Sequence, residues 1–541
     1  MNMISRDERV IDHIVPERCL ASEGCSGSER LLHNRFLQAS TAGRGLCTLS
    51  PGGWLLLDFG EEIHGGIELV SGAFPGISFE SDEDKGIRLH VTFGESVSET
   101  FSVPDYCHAP QNMEMKIVPW STVSCGELGF RFVRIQNVDR KPAPLQSVIG
   151  RYVHRDLPLK AEFFCSDELL NRIWKTSAKT LLLCLQNYAW DGIKRDRLVW
   201  MGDLYPELKT CAALFGKQSV IEKSMDFVRD ETPLPQFMNG LWVYSIWWVL
   251  GHFHWYRCFG DLNYLKTQKE YLAGLLRRFA ENMDENGLQK GFDSALLDWA
   301  SEGKMDSIPG AYALLLLAFR AGEKLCRILD DPKTAEICKT AARKMEGLDF
   351  PVTDSMAGNA FQVFAGWKDA GTMFDDVFAK TLPHKMSTFL GCFSLDACVM
   401  GNHLREALDY LRAYWGGMLR LGATSFWEHF DVDWLENAVR IDELPSPGKK
   451  DVHKECGSGC FKGFRNSLCH GWAALPGEWL LRTILGVSFL DAETIRFAPD
   501  LCGLPFAEGK IPTAFGMISV KLRDGHSEIV SPETIRVIKD K

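Results

Sequence analysis

The sequence predicts a multidomain chain in which a long helical domain lies between two β domains, and three observations carry that reading. Up to about residue 157 the apolar residues fall in short β-prone runs (WLLLDFG, GIELV, IRLHVTFG, MEMKIV, FRFVRIQNV) separated by Gly, Ser, Pro and Asp. From Phe163 the pattern lengthens into helical stretches such as LLNRIWKTSAKTLLLCLQ, AYALLLLAFRAGEKLCRIL and LREALDYLRAYWGGML. After Gly486 short β runs return in TIRFAP, GMISVKL and SEIVSP.

Taken in order, the first block, 1–157, has the strand spacing of a β-sandwich or jelly roll, and a Pro-flanked segment from Arg155 to Lys160 closes it. The second block, 158–486, is roughly 320 residues, room for about a dozen helices of ordinary length. A closed double ring of helix hairpins would use that many helices and leave one end open as a pocket, although the pattern admits other arrangements. No close repeat at a short fixed period marks it. The last block, 487–541, reads as a small β domain.

Composition narrows the function. The chain has 541 residues, too many for one simple core, with 45% hydrophobic and 24% charged residues. Its net charge of −11 spreads without a basic run, which argues against nucleic acid and for a neutral or weakly charged small molecule. The most apolar run, LWVYSIWWVLGHFHWY, is short for a membrane span. The amino terminus, MNMISRDERVIDHIV, lacks the apolar stretch of a secretory signal. Seventeen cysteines without such a signal imply reduced thiols, hence a cytoplasmic protein. The composition is compatible with a homo-oligomer.

The stretch YAWDGIKRDRLVWMGDLYPE is the chemical centre of the chain. It sets Asp191, Asp196, Asp203 and Glu207 beside Lys194, Arg195 and Arg197, between Trp190 and Tyr205. Buried charges are costly unless paired, so such a mixture suits a pocket that holds and protonates a polyhydroxylated ligand. The spacing predicts a loop over Asp191 to Arg195 and a helix from about Asp196, with Asp196, Trp200 and Asp203 on one face. A charged surface turn that happens to contain tryptophans is the plainer alternative. Glu428, in GATSFWEHFD, is the second acid of interest; the alternative there is a helix start capped by Thr424 or Ser425. Glycosidic hydrolysis needs one carboxylic acid to protonate the leaving oxygen and one carboxylate to activate water, and these two segments can supply both.

Other residues add to this picture. Asp298–Trp299 and Asp433–Trp434 repeat the acid-beside-tryptophan theme, and tryptophan faces suit the C–H faces of a sugar. Among Trp242, Tyr244, Trp247 and Trp248, one ring is expected to face the pocket. A lone histidine such as His470, in RNSLCHGW, is more often structural than catalytic. His453, Cys456, Cys460, Cys469 and His470 match no zinc spacing, so no metal is expected. GSGCFKG lacks the spacing of a dinucleotide loop, no Walker loop or GxSxG elbow occurs, and no cofactor is expected.

DGIKRDRLVWMGD resembles the signature of the α-L-rhamnosidases of glycoside hydrolase family 78, an Asp, then Arg-Glu-Arg, then Trp-x-Gly-Asp. GATSFWEHFD and SLCHGW resemble that family's second and third motifs, and LLLDFGEEIHGGIEL, LHVTFGES and the carboxy-terminal strands resemble its flanking β regions. The resemblance implies an (α/α)6 barrel and an inverting exo-hydrolysis of a terminal α-L-rhamnose or similar sugar. It implies Glu428 as general base, with Asp191, Arg195, Trp200, Asp203, Trp299, Trp427 and His470 around the sugar. Asp196 stands where the family has its general-acid Glu, one methylene shorter. A carbohydrate-binding homologue without catalysis, or a same-fold glycosidase for another sugar such as a uronic acid held by Arg195 or Lys194, are the alternatives.

Overall fold

In the computed structural model, the described residues are 7–41, 45–74, 86–102, 111–292, 294–299, 305–523 and 525–539. The first six residues, on which part of the amino-terminal reading rests, lie outside them. Eight strands come first: β1 (Arg9–Ile14), β2 (Arg18–Ser26), β3 (Cys47–Ser71), β4 (Ile87–Gly94), β5 (Asn112–Ile117), β6 (Thr122–Asn137), β7 (Ala143–Arg155) and β8 (Glu162–Cys165). The first seven form one hydrogen-bonded network in the order β1-β7-β3-β6-β4-β5, with β2 paired to β3. β3 holds it together. Its register against β6 breaks between Asp58 and Ile63, and its second half also pairs in parallel with β7. Beyond Leu55 the strand is buried at nearly every position, because both of its faces are covered.

The helices follow. They are α1 (Glu168–Cys184), α2 (Met201–Leu214), α3 (Ser219–Asp230), α4 (Trp242–Phe259), α5 (Leu262–Thr267), α6 (Lys269–Glu281), α7 (Ile308–Ile328) and α8 (Pro332–Glu346). After these come α9 (Met356–Ala365), α10 (Ala370–Met373), α11 (Ala379–Thr381), α12 (Gly391–Met400), α13 (Leu404–Arg420), α14 (Val452–Glu455) and α15 (Pro476–Thr483). Two kinds of helix alternate. α3, α6 and α8 bury one stripe and expose the other, as outer helices must. α4, α9 and α12 are apolar all round and lie inside. α2 packs on α4, α4 on α7, α7 on α9 and α9 on α12. α15 packs on α2, and its Trp479 and Arg482 reach Asp396 of α12, which closes an inner ring of six.

A two-residue parallel pair, β9 (Ala438–Val439) and β10 (Lys450–Asp451), precedes the last strands. These are β11 (Val487–Asp491), β12 (Thr494–Phe497), β13 (Phe506–Thr513), β14 (Gly516–Arg523), β15 (His526–Val530) and β16 (Arg536–Lys539). They make two sheets, β11-β12-β16 and β15-β14-β13-β8. β8, placed by the sequence in the helical block, is thus an edge strand of the terminal domain, pairing Phe164 with Glu508. Four residues give little periodicity, so its partner could not be read locally. No helix among the described residues is long and apolar enough to cross a membrane. The described cysteines are all free thiols.

Candidate active site

The site is built on the segment between α1 and α2. The Asp191 N–H donates to Leu198 O at 3.0 Å and the Leu198 N–H to Asp191 Oδ1 at 2.8 Å, so the segment closes into a loop. Inside it Asp196 and Arg197 take left-handed backbone, φ 58° and 54°. Aspartate tolerates that region better than arginine, and such strain persists only where the surroundings hold it. Three anchors do so. The Arg195 Nε–H donates to Arg465 O at 2.7 Å, and Arg197 donates to Glu127 O of β6 at 2.6 Å. Lys194 is wholly buried, with Nζ 2.6 Å from Glu99 and 3.3 Å from Glu95, two buried acids after β4. The expected helix from Asp196 therefore begins only at Met201, because the loop is pinned from the β side before a helical turn can form.

Arg195 carries the arrangement. Its Nη1 pairs with the Asp196 carboxylate and its Nη2 with that of Glu428, so one guanidinium holds both acids. Glu428 lies in an irregular segment, with no helix to cap. Thr424 instead accepts from the Glu62 N–H, and Ser425 donates to Leu468 O. The Ser467 N–H donates to Glu428 Oε2 at 3.0 Å, and Thr388 and Trp472 donate to its main-chain oxygen. Burial disfavours its charge, but Arg195, His470 and the Ser467 N–H outweigh that and hold its pKa below the ordinary value. Asp203, in the first turn of α2, accepts from His470 Nε2 at 3.0 Å. Burial pulls His470 down, yet Asp203 and Glu428 outweigh it and raise its pKa. Asp191 is pushed up to about 8, chiefly by burial.

These residues converge on one cavity of about 100 Å³, lined by Asp191, Arg195, Asp196, Trp200, Asp203, Trp299, Glu428 and His470, and by Cys460, Arg465 and Trp472. Trp299 stands edge-on to Trp200 at 6.0 Å and donates from Nε1 to the Tyr244 hydroxyl at 3.2 Å. A wider vestibule of about 630 Å³ shares Trp299 and Cys460 with the cavity and is lined by Asp298, Asp306, Asp354 and Asp431.

Some expectations are corrected. Trp427 does not line the cavity; it is buried edge-on against Phe430, while the neighbouring Glu428 side chain reaches Arg195. No ring of the Trp242–Trp248 run lines it either: Tyr244 supports Trp299 from behind, and Trp247 faces the other end of the barrel. Lys194 is sealed away from any ligand. The two groups of acids and histidines whose atoms cluster among the described residues are Glu95, Glu99 and His453, and His384, Asp431 and Asp433, so His453 does not join the cysteines. Lys194 Nζ already sits in the first group.

Sequence reasoning missed Arg465 and Trp472. Both flank His470 in one short segment, and the aromatic-beside-polar theme would have found Trp472. Arg465 Nη1 is buried without a hydrogen-bond partner. Glu95 and Glu99 carry no local signal at all.

Residues 158–321 match the model of the bacterial alpha-L-rhamnosidase 6 hairpin glycosidase domain. That match runs from just before α1 into α7. The fold extends the likeness: the GH78 family rhamnosidase of Bacillus sp. GL1 superposes with a TM-score of 0.74 at 21% identity, over 95% of this chain and 55% of that one. The rhamnosidase from Klebsiella oxytoca with rhamnose bound gives 0.66 at 19%, over 88% of this chain and 96% of that one. The Streptomyces avermitilis alpha-L-rhamnosidase complexed with L-rhamnose gives 0.69 at 15%, over 98% of this chain and 50% of that one. The chain thus spans about half the length of two of these relatives. No curated protein matches it.

Proposed function

We propose that the protein is an exo-acting glycoside hydrolase that removes a terminal α-L-rhamnose or similar sugar from a small glycoside, with inversion. The observation that carries this reading is the single guanidinium holding Asp196 and Glu428 at a cavity walled by Trp200, Trp299 and Trp472. The small cavity suits one terminal ring, and the wider vestibule beyond Trp299 suits the leaving group. Glu428, held ionised, is the base that activates water. An inverting pair needs its carboxyls roughly 6.5–9.5 Å apart, with that water between the base and the sugar.

Asp196 occupies the acid position, partly exposed at the cavity, and its carboxylate is paired with Arg195. One observation favours a second assignment. Asp191 lines the same cavity and keeps its proton to about pH 8, so it is the group able to give one at neutral pH. The uronic-acid alternative loses Lys194 to Glu95 and Glu99, and Arg195 to the two acids, which leaves Arg465 as the cation for a carboxylate.

The test is hydrolysis of an alkyl and a nitrophenyl α-L-rhamnoside by Asp196→Asn, Asp191→Asn and Glu428→Gln. Glu428→Gln should abolish both activities. Loss of the proton donor should cut the alkyl glycoside by orders of magnitude and largely spare the nitrophenyl one. If wild type binds rhamnose yet turns over neither substrate, the protein is a carbohydrate-binding homologue.

A further inference from the structure

The inner ring encloses a second chamber, of about 390 Å³, at the end of the barrel away from the acids. All six inner helices contribute to it: Tyr205 and Lys209 from α2, Trp247 and Arg257 from α4, with α7, α9, α12 and α15 completing the wall. β11 caps it, and the exposed Leu490 and Arg496 stand at its mouth. Its size lies within the range of small-molecule pockets, about 300–1,000 Å³.

The wall is not a plain apolar void. One side is aromatic: Tyr205 stacks on Trp247 at 4.7 Å, and Phe393 lies 6.1 Å from each. The other is charged, with Lys209, Arg257 and Arg482 against Asp396 and Glu478. The acids are spent within the wall. Arg482 binds Asp396 at 3.0 Å and Glu478 at 2.8 Å, and Lys209 lies 3.8 Å from Glu478. Arg257 reaches no carboxylate. Its Nη2 meets only His254 Nδ1, at 3.3 Å, while its Nε–H and the Trp247 Nε1–H are buried donors without acceptors. Burial holds His254 well below its ordinary pKa, so it adds no compensating charge. An unpaired buried donor is costly, and two of them beside a guanidinium that no carboxylate pairs directly, although it feels the charge of Glu478, call for an acceptor that is itself an anion.

We propose that this chamber is a binding site for an amphipathic organic monoanion, its aromatic or branched apolar body against Trp247 and Phe393 and its carboxylate or sulfonate on Arg257. The proposal is independent of the chemistry at Glu428, since the two cavities share no lining residue.

Titration of the full chain with 8-anilinonaphthalene-1-sulfonate tests it, with the uncharged N-phenyl-1-naphthylamine as its partner probe. The sulfonate should bind saturably, one per chain, at least tenfold more tightly than the neutral probe. Arg257→Leu should weaken the sulfonate at least tenfold and erase the preference, and Leu317→Phe, which narrows the chamber, should weaken binding of both. Circular dichroism establishes that each variant is folded; should Arg257→Leu not fold, the two probes on wild type and Leu317→Phe still decide. Absence of saturable binding, equal affinity for both probes, or affinities left unchanged by Leu317→Phe would each overturn the proposal.

Discussion

Replacing Lys194 by Met should reveal how far the amino-terminal β domain holds the catalytic loop in place. Lys194 Nζ, Glu95 and Glu99 are all fully buried, and the ammonium also donates to the main-chain oxygens of Phe464 and Asn466. Glu95 in turn accepts from the Leu468 N–H at 2.6 Å and from Ser467 Oγ, next to the N–H that holds Glu428. One cluster therefore fixes the loop that carries Arg195 and Asp196 and the segment that carries His470. Removing one partner of a buried ion pair costs about 3–5 kcal/mol, because the other charge stays buried. Lys194→Met should lose that much, measured as a shift of the first denaturant transition, since a multidomain chain need not unfold in one step. Lys194→Met with Glu99→Gln should recover much of it, because the Glu99 charge goes with the ammonium and burial pushes the remaining Glu95 up to about 7.

The pH dependence adds a second arm with a definite sign. In the wild type burial raises the Glu99 pKa, but Lys194 and His453 outweigh it, so the net shift is downward. That stability is present above the unfolded pKa and is lost as pH falls through the folded one. Without Lys194 the strongest influence opposing burial is gone, and burial raises the folded pKa of Glu99 against what His453 and the Glu95 N–H still contribute. The native state then binds the extra proton, so the variant should gain stability as pH falls from 7 toward 5 more steeply than wild type, in which Glu95, pushed up to about 7 by burial, already takes up a proton there. A loss under about 1 kcal/mol, or no recovery in the double variant, would refute the view that this cluster couples the domains.

Three further outcomes follow from other parts of the site. A Cβ at Gly471 would lie 1.7 Å from Glu207 Oε1, so Gly471→Ala should destabilise by about 1–3 kcal/mol and shift the His470 ring from Asp203, seen as a changed His470 pKa by NMR. The profile of kcat/KM against pH should keep its acid limb below the ordinary Glu range, because Glu428 stays ionised there; an alkaline limb near 8 that disappears in Asp191→Asn would make Asp191 the proton donor. In the vestibule, Asp298, Asp306, Asp354 and Asp431 outnumber Lys385, itself paired with Asp354, so a carboxylated aglycone should be cleaved less efficiently than its neutral analogue, by a margin that shrinks with added salt.

How much was legible in the sequence depends on the distance over which the signal acts. The helical block was readable because α3, α6 and α8 repeat their apolar stripe over three or more turns, whereas β8, with four residues, revealed neither its sheet nor its domain. In the site, Asp191, Arg195, Asp203 and Glu428 were found because charge crowded against tryptophan is costly without partners. Their pairing was not, since Arg195 and Glu428 lie 233 residues apart. The helix expected from Asp196 failed for a related reason. Its residues suit a helix locally, but Lys194 and Arg197 reach partners on the β domain and hold Asp196 and Arg197 at positive φ.

That strained loop bears on the shorter acid. A side chain one methylene shorter reaches less far, so as the proposed acid Asp196 needs its backbone nearer the bond to be protonated. Left-handed backbone at two consecutive residues turns the chain sharply at Asp196, and the anchors on Glu99, Glu127 and Arg465 hold that turn. Asp196→Glu separates two views of this. If the loop has moved to suit the shorter arm, the longer acid will overreach its partner on Arg195 and turn over the alkyl rhamnoside more slowly than wild type. If the loop has not adapted, the same change restores reach and raises the rate. The pinned geometry favours the first outcome, and an increase in rate on the alkyl substrate would show that the anchors serve stability alone.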